Sequence, residues 1–309
     1  MGKRRASNVP VAGVRRGKVE DETQTPYPTL PPRRQAGRTH FAARRARQTS
    51  SLRCLALTPS EAELYALTHR GNAGDAELYA RVCSGAERVL ELGCGYGRLL
   101  PVLAGRKRHV VGLELDPRLC SLARRTLRES PGSWAARVRV VKGDMSRFSF
   151  RERFDRIVIP HSGLYCLTSA AKLLGCLRHA RRHLAPDGRV AFDAYAADAF
   201  HAESRSADLD AEHLTPVVSL VWRGKTWDVF EKSRWLRSAQ RLFATYLYVP
   251  RSGGAPHAIQ IAQRYLLTKQ LPALLASAGL ELTAFRWGLG EVTHRPAEHW
   301  FAEARLKRP

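Results

Sequence analysis

Three glycines at alternate positions, Gly93, Gly95 and Gly97, follow an apolar run that ends at Leu92, and a helical pattern resumes at Leu99-Leu100. That order reads as a strand, a tight turn and a helix start. Glycine tolerates positive φ and leaves no Cβ between backbone and ligand, so the turn can carry a bound molecule directly on its main chain. Polar residues close the strands that follow: Glu114, Asp144 and the pair His161-Ser162. Glu114 stands 21 positions after Gly93, near the ~20 expected of a carboxylate that accepts from ribose hydroxyls. The glycines read G-x-G-x-G, not the G-x-G-x-x-G of dinucleotide sites, and the Lys-Ser/Thr pair of a phosphate loop is missing. The pattern asks for a nucleoside without phosphates.

Such residues must be held by a sheet whose strands all end on one side. Val89-Leu90-Glu91-Leu92, Val110-Val111-Gly112-Leu113-Glu114-Leu115, Val138-Arg139-Val140-Val141, Phe154-Asp155-Arg156-Ile157-Val158-Ile159 and Arg189-Val190-Ala191-Phe192-Asp193 read as five buried strands. Helical patterns separate them, one opened by Asp116-Pro117 and another centred on Leu173, Leu174 and Leu177, with Pro186-Asp187-Gly188 as a return turn. Strands alternating with helices predict an α/β fold, a doubly wound, mainly parallel sheet. Two helices precede it, one capped at Thr58-Pro59-Ser60-Glu61 and one with Asp75 as its expected N-cap. Two late strands, near 282–287 and 300–304, add an antiparallel edge hairpin and bring the sheet to seven strands. Between 205 and 268 the pattern turns antiparallel, with Gly224-Lys225 read as a type II′ hairpin loop. Trp222, Trp227 and Trp235 fall in this insertion, either to pack it onto the main sheet or to line a substrate cavity.

The formal net charge is +23, but 42 of the 51 basic residues are Arg, a bias that base composition alone can produce. Residues 1–50 are rich in Arg and Pro and poor in large apolar side chains, and read as a disordered basic tail before a domain over 51–309. No run approaches the ~18 apolar residues of a membrane helix, and no apolar signal core follows the basic start, so a cytoplasmic location is expected. The six cysteines form no C-x-x-C pair, and reduced thiols are expected. His179 and His183 share the i, i+4 spacing of a helical metal site, but only Ala-Arg-Arg lies between them; a solvated helix face is expected and no metal.

Glu-Leu-Gly-Cys-Gly-Tyr-Gly at 91–97, Gly-Leu-Glu-Leu-Asp-Pro at 112–117, Lys-Gly-Asp-Met at 142–145 and Phe-Asp-Arg-Ile-Val-Ile-Pro at 154–160 together resemble the class I S-adenosylmethionine-dependent methyltransferases. The resemblance covers roughly 58–309 and implies the Rossmann-like methyltransferase fold with S-adenosylmethionine as cofactor. It implies that the turn Glu91, Gly93, Cys94, Gly95 and Gly97 passes under the methionyl and ribose parts. Glu114, with Leu115 beside it, would hold the ribose hydroxyls, and Asp144, with Met145, would meet the adenine. Pro160 would face the sulfonium end, and Arg70 is the candidate for the methionyl carboxylate.

The reaction so implied is in-line transfer of a methyl group to nitrogen or oxygen, in which positioning supplies most of the acceleration and a base is optional. His161 and Tyr165 are the catalytic candidates at the fourth strand, and Glu231 or Tyr265 of the insertion is an alternative base. Base-modifying relatives usually carry Asn/Asp/Ser-Pro-Pro-aromatic there; this chain has Ile159-Pro160-His161-Ser162. The insertion resembles the substrate lids of small-molecule N-methyltransferases, as does the run from Arg264-Tyr265 to Leu271. A small-molecule acceptor is the expected partner. The competing expectations are an RNA or protein methyltransferase that docks its polymer through the basic tail, and a non-catalytic cofactor-binding protein.

Overall fold

The computed structural model describes residues 57–130, 132–203, 214–290 and 298–307. The expected tail over 1–50 and the proposed domain start at 51 lie outside the described residues. The chain opens with two helices, α1 (Pro59–Thr68) and α2 (Asp75–Val82). The main fold then runs β1 (Arg88–Leu92), α3 (Leu100–Ala104), β2 (His109–Glu114), α4 (Pro117–Glu129), β3 (Val138–Lys142), β4 (Phe154–Ile159), α5 (Ala170–His183) and β5 (Leu184–Tyr195). After α6 (Asp198–Glu203) come β6 (Thr215–Trp222), β7 (Lys225–Leu236), β8 (Arg241–Pro250) and β9 (His257–Arg264). The chain closes with α7 (Leu271–Ser277), β10 (Leu280–Trp287) and β11 (His299–Leu306).

The expected doubly wound sheet is present, with seven strands in the order β10-β11-β5-β4-β1-β2-β3. β1 to β5 are parallel, while β11 runs antiparallel to β5 and β10 antiparallel to β11. Alternation along each strand makes two cores. Leu90, Leu92, Ile157 and Phe192 face α5 and α7, and Val89, Val110 and Val158 face α2, α3 and α4. Each such side chain contributes about 2 kcal/mol by leaving water, which is why these strands are apolar on both faces.

Chain order reverses across β1, which has β2 on one side and β4 on the other. The carboxyl ends of β1 and β4 therefore splay apart and open the crevice where such sheets bind ligands. Local signals set the helix starts as the sequence predicts. Thr58 and Glu61 form a reciprocal capping box on α1, and Asp116 Oδ1 accepts from the amides of Arg118 and Leu119 at the start of α4.

Several details differ from expectation. Gly74 caps α2, so Asp75 lies inside its first turn. Pro186-Asp187-Gly188 does not end a helix before β5; it bulges within that strand, because Phe154 pairs with Leu184 and Arg156 with Arg189. Trp222 pairs with Lys225, so the hairpin loop is Arg223-Gly224. Both residues have positive φ, 49° and 73°, which makes the turn type I′ and not II′.

The second sheet, β6-β7-β8-β9, is antiparallel throughout. Trp222 and Trp227 pack it against Leu64 of α1, not against the main sheet, and Trp222 Nε1 donates to Glu63 Oε2 at 2.8 Å. Trp235 sits elsewhere, over Phe200 and beside Tyr265. His183 also departs from the expected solvated face. It is buried on Phe148 and Phe150, its Nε2 accepts from the Phe150 amide at 2.9 Å, and its Nδ1 donates to the His179 carbonyl. Among the described residues no helix is long and apolar enough to cross a membrane, and no three metal-ligating side chains cluster.

Candidate active site

The glycine turn divides its three glycines between two tasks. Gly93, Gly95 and Gly97 all have positive φ, at 74°, 56° and 86°. A Cβ on Gly95 would meet nothing within 4 Å, and one on Gly93 only Met145 Sδ at 3.8 Å. A Cβ on Gly97 would press on Leu100 and Ala123, at 3.0 and 3.1 Å. Gly93 and Gly95 thus border open space, and Gly97 permits close packing of α4. Cys94 turns its side chain inward, where its Sγ lies 2.7 Å from the position of a Cβ on Gly112. Burial pushes this thiol well above its ordinary range, and only the Cys94 backbone lies on the cradle.

Glu114 locks that turn. Its Oε2 accepts from the Gly95 amide and its Oε1 from the Asp116 amide, each at 2.8 Å. Burial raises its pKa, and these amide donors act against the rise. Leu115, next to it, is 57% exposed. Asp144 Oδ1 accepts from both the amide and the hydroxyl of Ser146, while Oδ2 has only Arg147 at 3.8 Å and stays open to a donor. Pro160 is buried at the end of β4. A cradle without Cβ atoms, a locked carboxylate and a second carboxylate with a free oxygen fit a nucleoside cofactor.

The guanidinium beside the cradle is not the expected one. Arg70 is exposed, and its Nε turns back to the Leu67 carbonyl at 3.0 Å. Arg98 lies in its place, flat against Gly71 and paired through both nitrogens with the buried Asp75, at 2.9 and 2.6 Å. Gly71 allows this contact because a Cβ there would fall 2.3 Å from the guanidinium carbon.

Glu91 is 3% exposed, and its Oε2 has no partner. Burial pushes its pKa up to about 8; Arg98 opposes the shift, and Glu114 and Asp75 reinforce it. The unfolded chain releases this proton near pH 4.5, so folding binds a proton in between. The stability linked to it is full below pH 4.5 and is lost as pH rises through about 8. Glu91→Gln should therefore melt close to wild type at pH 5 and roughly 5 °C higher at pH 8.5, since a few kcal/mol shifts a domain of this size by several degrees. A difference independent of pH in paired thermal melts would contradict the assignment.

At the end of β4, His161 and Ser162 both adopt left-handed backbone, with φ of 53° and 58°. Each such non-glycine residue costs about 1–3 kcal/mol and needs support from its surroundings. Asp193, fully buried at the end of β5, supplies it. Its Oδ1 accepts from the His161 amide at 2.9 Å and from the Tyr79 hydroxyl at 2.6 Å, and its carbonyl accepts from the Ser162 amide at 3.1 Å. Burial lifts the Asp193 carboxyl to about 6. Neither Asp193 nor Tyr79 stands out in the sequence, where one ends an apolar strand and the other reads as a core position.

His161 Nδ1 is buried without a partner, and burial, followed by the nearby Arg98 charge, lowers the ring's pKa. A second histidine, which sequence reasoning passed over in favour of its neighbour Arg70, faces it. His69 stacks on Tyr65 at 4.1 Å and meets the His161 ring edge-on at 6.3 Å. Its Nδ1 donates to the Tyr65 carbonyl, leaving the lone pair on the buried, unpartnered Nε2. Burial drives its pKa down to about 4. Both rings are uncharged at neutral pH.

Tyr165 does not join them. It is fully buried, and its hydroxyl proton is shared between the carbonyls of Tyr195 and Leu266, at 3.1 and 3.2 Å, so it braces the main sheet against the run into α7. Tyr265 is likewise buried, bonded to His201 at 2.8 Å. Glu231 does reach the site. With His69, His161, Tyr195, Trp235 and Tyr246 it walls a cavity of about 340 Å³ between the crevice and the second sheet.

Residues 89–188 match the family model described as a methyltransferase domain. The chain has the Rossmann-like fold that solved methyltransferase structures also have. Among characterised proteins, it is similar to the dTDP-3-amino-3,6-dideoxy-alpha-D-glucopyranose N,N-dimethyltransferase of Streptomyces fradiae, 33% identical over 137 residues, which is 42% of this chain and 51% of the relative. A ribosomal RNA small subunit methyltransferase A from Geobacter metallireducens is 38% identical over 66 residues, covering 21% of this chain and 22% of that protein. The chain thus spans about half or less of the curated relatives it matches. Solved structures share its fold, among them two methyltransferases. A methyltransferase from Streptomyces caelestis superposes with a TM-score of 0.66 at 20% identity, over 76% of this chain and 90% of that one. A sugar N-methyltransferase from Streptoalloteichus does so with 0.60 at 22% identity, over 87% and 100%.

Proposed function

We propose that this protein is an S-adenosylmethionine-dependent methyltransferase that methylates a nitrogen of a small-molecule amine. The observation that carries the reading is the placement of two uncharged histidines, His69 and His161, in the wall of a small-molecule-sized cavity, with His69 tied to the glycine turn by the Tyr96 hydroxyl, which donates to its carbonyl at 3.0 Å. The S. fradiae relative, named as an N,N-dimethyltransferase of an amino sugar, supports nitrogen as the acceptor atom.

S-adenosylmethionine, when bound, supplies a methyl group already activated for displacement by its sulfonium centre. Glu114 and Asp144 would hold its ribose and adenine, Gly93 and Gly95 would underlie it, and Leu115, Met145 and Pro160 would supply apolar contact. Arg98, rather than Arg70, is the cation positioned for its carboxylate end. His161 or His69 accepts the proton that an ammonium acceptor must lose before its lone pair can attack, and the strained turn at 161–162 keeps that acceptor in one place. The sheet β6 to β9 acts as the lid that excludes water.

We place the activity in the cytoplasm, in keeping with the buried thiols of Cys83, Cys94, Cys120 and Cys176. Incubation with methyl-labelled cofactor and a fractionated cell extract, before and after nuclease and protease treatment, tests the reading. Label that stays in the small-molecule fraction upholds it. Label lost with nuclease or protease would transfer the assignment to a nucleic acid or a protein acceptor.

A further inference from the structure

The chain carries 51 basic residues, yet the cavity is lined by no Lys or Arg among the described residues. Strand alternation produces this separation. On β7, Glu231, Ser233 and Trp235 face the cavity, while Lys232 and Arg234 point the other way and are exposed. The register carries the division across the sheet. Glu231 pairs with Tyr246 and Trp235 with Leu242, both cavity residues, whereas Arg241 pairs with Arg264 on the far face. One carboxylate among aromatic rings is the only Asp, Glu, Lys or Arg side chain that the described residues of this sheet contribute to the cavity lining.

That carboxylate is held in place. Glu231 Oε1 accepts from the Ser233 hydroxyl at 2.6 Å, and Tyr246 stands opposite it on β8. Among the described residues this half-buried carboxylate has a neutral donor and no counter-charge, which an ammonium ion would bring. Rings of Tyr65, Tyr195, Tyr246 and Trp235 suit the same ion, because aromatic faces attract cations. A diphosphate would meet the opposite conditions: two or more negative charges, no cationic donor and a fixed carboxylate.

We infer that the acceptor is a phosphate-free amine that enters as its ammonium ion and pairs with Glu231, and not a nucleotide-linked amine like the substrate named for the S. fradiae relative. This rests on the methyltransferase reading above. Glu231 orients the amine beside His69 and His161, which belong to the same wall.

The test uses one amine in two forms: the amino sugar named for the S. fradiae relative as its methyl glycoside, and the same sugar as its dTDP conjugate. Binding to the full-length protein loaded with S-adenosylhomocysteine, and methylation with S-adenosylmethionine, are measured for both. The glycoside should be used with a kcat/KM at least tenfold above that of the conjugate. Glu231→Gln should raise its KM roughly 10- to 100-fold with cofactor Kd unchanged, and Glu231→Asp, which keeps the charge, should recover most of the loss. Preference for the conjugate, indifference of KM to Glu231→Gln, or binding of neither form would each overturn the inference. Glu231-dependent binding without methylation would instead leave the amine site standing and overturn the methyltransferase reading.

Discussion

Glu114→Gln should bind S-adenosylmethionine at least ~100-fold more weakly than the unaltered protein while remaining folded. The carboxylate accepts from two backbone amides, one at each oxygen, from Gly95 and Asp116. An amide side chain has a single oxygen, so in either orientation its NH2 meets one of those N–H groups donor to donor. The turn loses one clamp outright and the charge assistance of the other, and the ribose hydroxyls lose an anionic acceptor. Hydrogen bonds to charged groups contribute about 1.5–3 kcal/mol each, and two of them amount to a hundredfold or more in affinity. Calorimetric titration of the cofactor, with a thermal melt to confirm folding, makes the measurement. A loss under about threefold would mean that Glu114 serves the backbone alone and does not hold the ribose.

His161→Ala should do the reverse, lowering kcat by about 100- to 1,000-fold with cofactor affinity within about threefold, the range of a positioned proton acceptor. The side chain lies in the cavity wall, whereas the clamp from Asp193 and Tyr79 engages only the His161 backbone, so the turn survives truncation. His69 offers a second buried acceptor facing the same ring, so His69→Ala and the double variant complete the series. If His161 alone takes the proton, the double variant is no slower than His161→Ala. If the rings substitute for each other, each single variant loses little and the double variant loses much. Unchanged turnover in the double variant would leave catalysis to positioning alone.

The two expectations differ in how far they could be read from the chain. Glu114 and the glycine turn were legible because their signals are short-range. Glycines at 93, 95 and 97 take positive φ for reasons internal to the turn, and the carboxylate follows at the spacing of one strand, turn, helix and strand. The same holds for the capping box at Thr58, the Asp116 cap and the strands apolar on both faces.

Other features were decided by segments far apart in sequence. Arg98 replaces Arg70 beside the cradle because it alone has the buried partner Asp75 and a glycine to lie on. Tyr165 is a brace because the Tyr195 and Leu266 carbonyls converge on its hydroxyl. The strained turn at His161 depends on Asp193 and Tyr79, and its companion His69 arrives from the end of α1. Strand period alone separates the charges of β7 onto two faces, but only the packing of that sheet over the crevice decides which face meets the acceptor. The sequence by itself determined the sheet, the glycine turn and the carboxylate that locks it, because each is set by spacing and backbone freedom within a few residues. Tertiary structure decided which histidines face each other and which charge lines the cavity, because those follow from which distant side chains are buried together and left without partners.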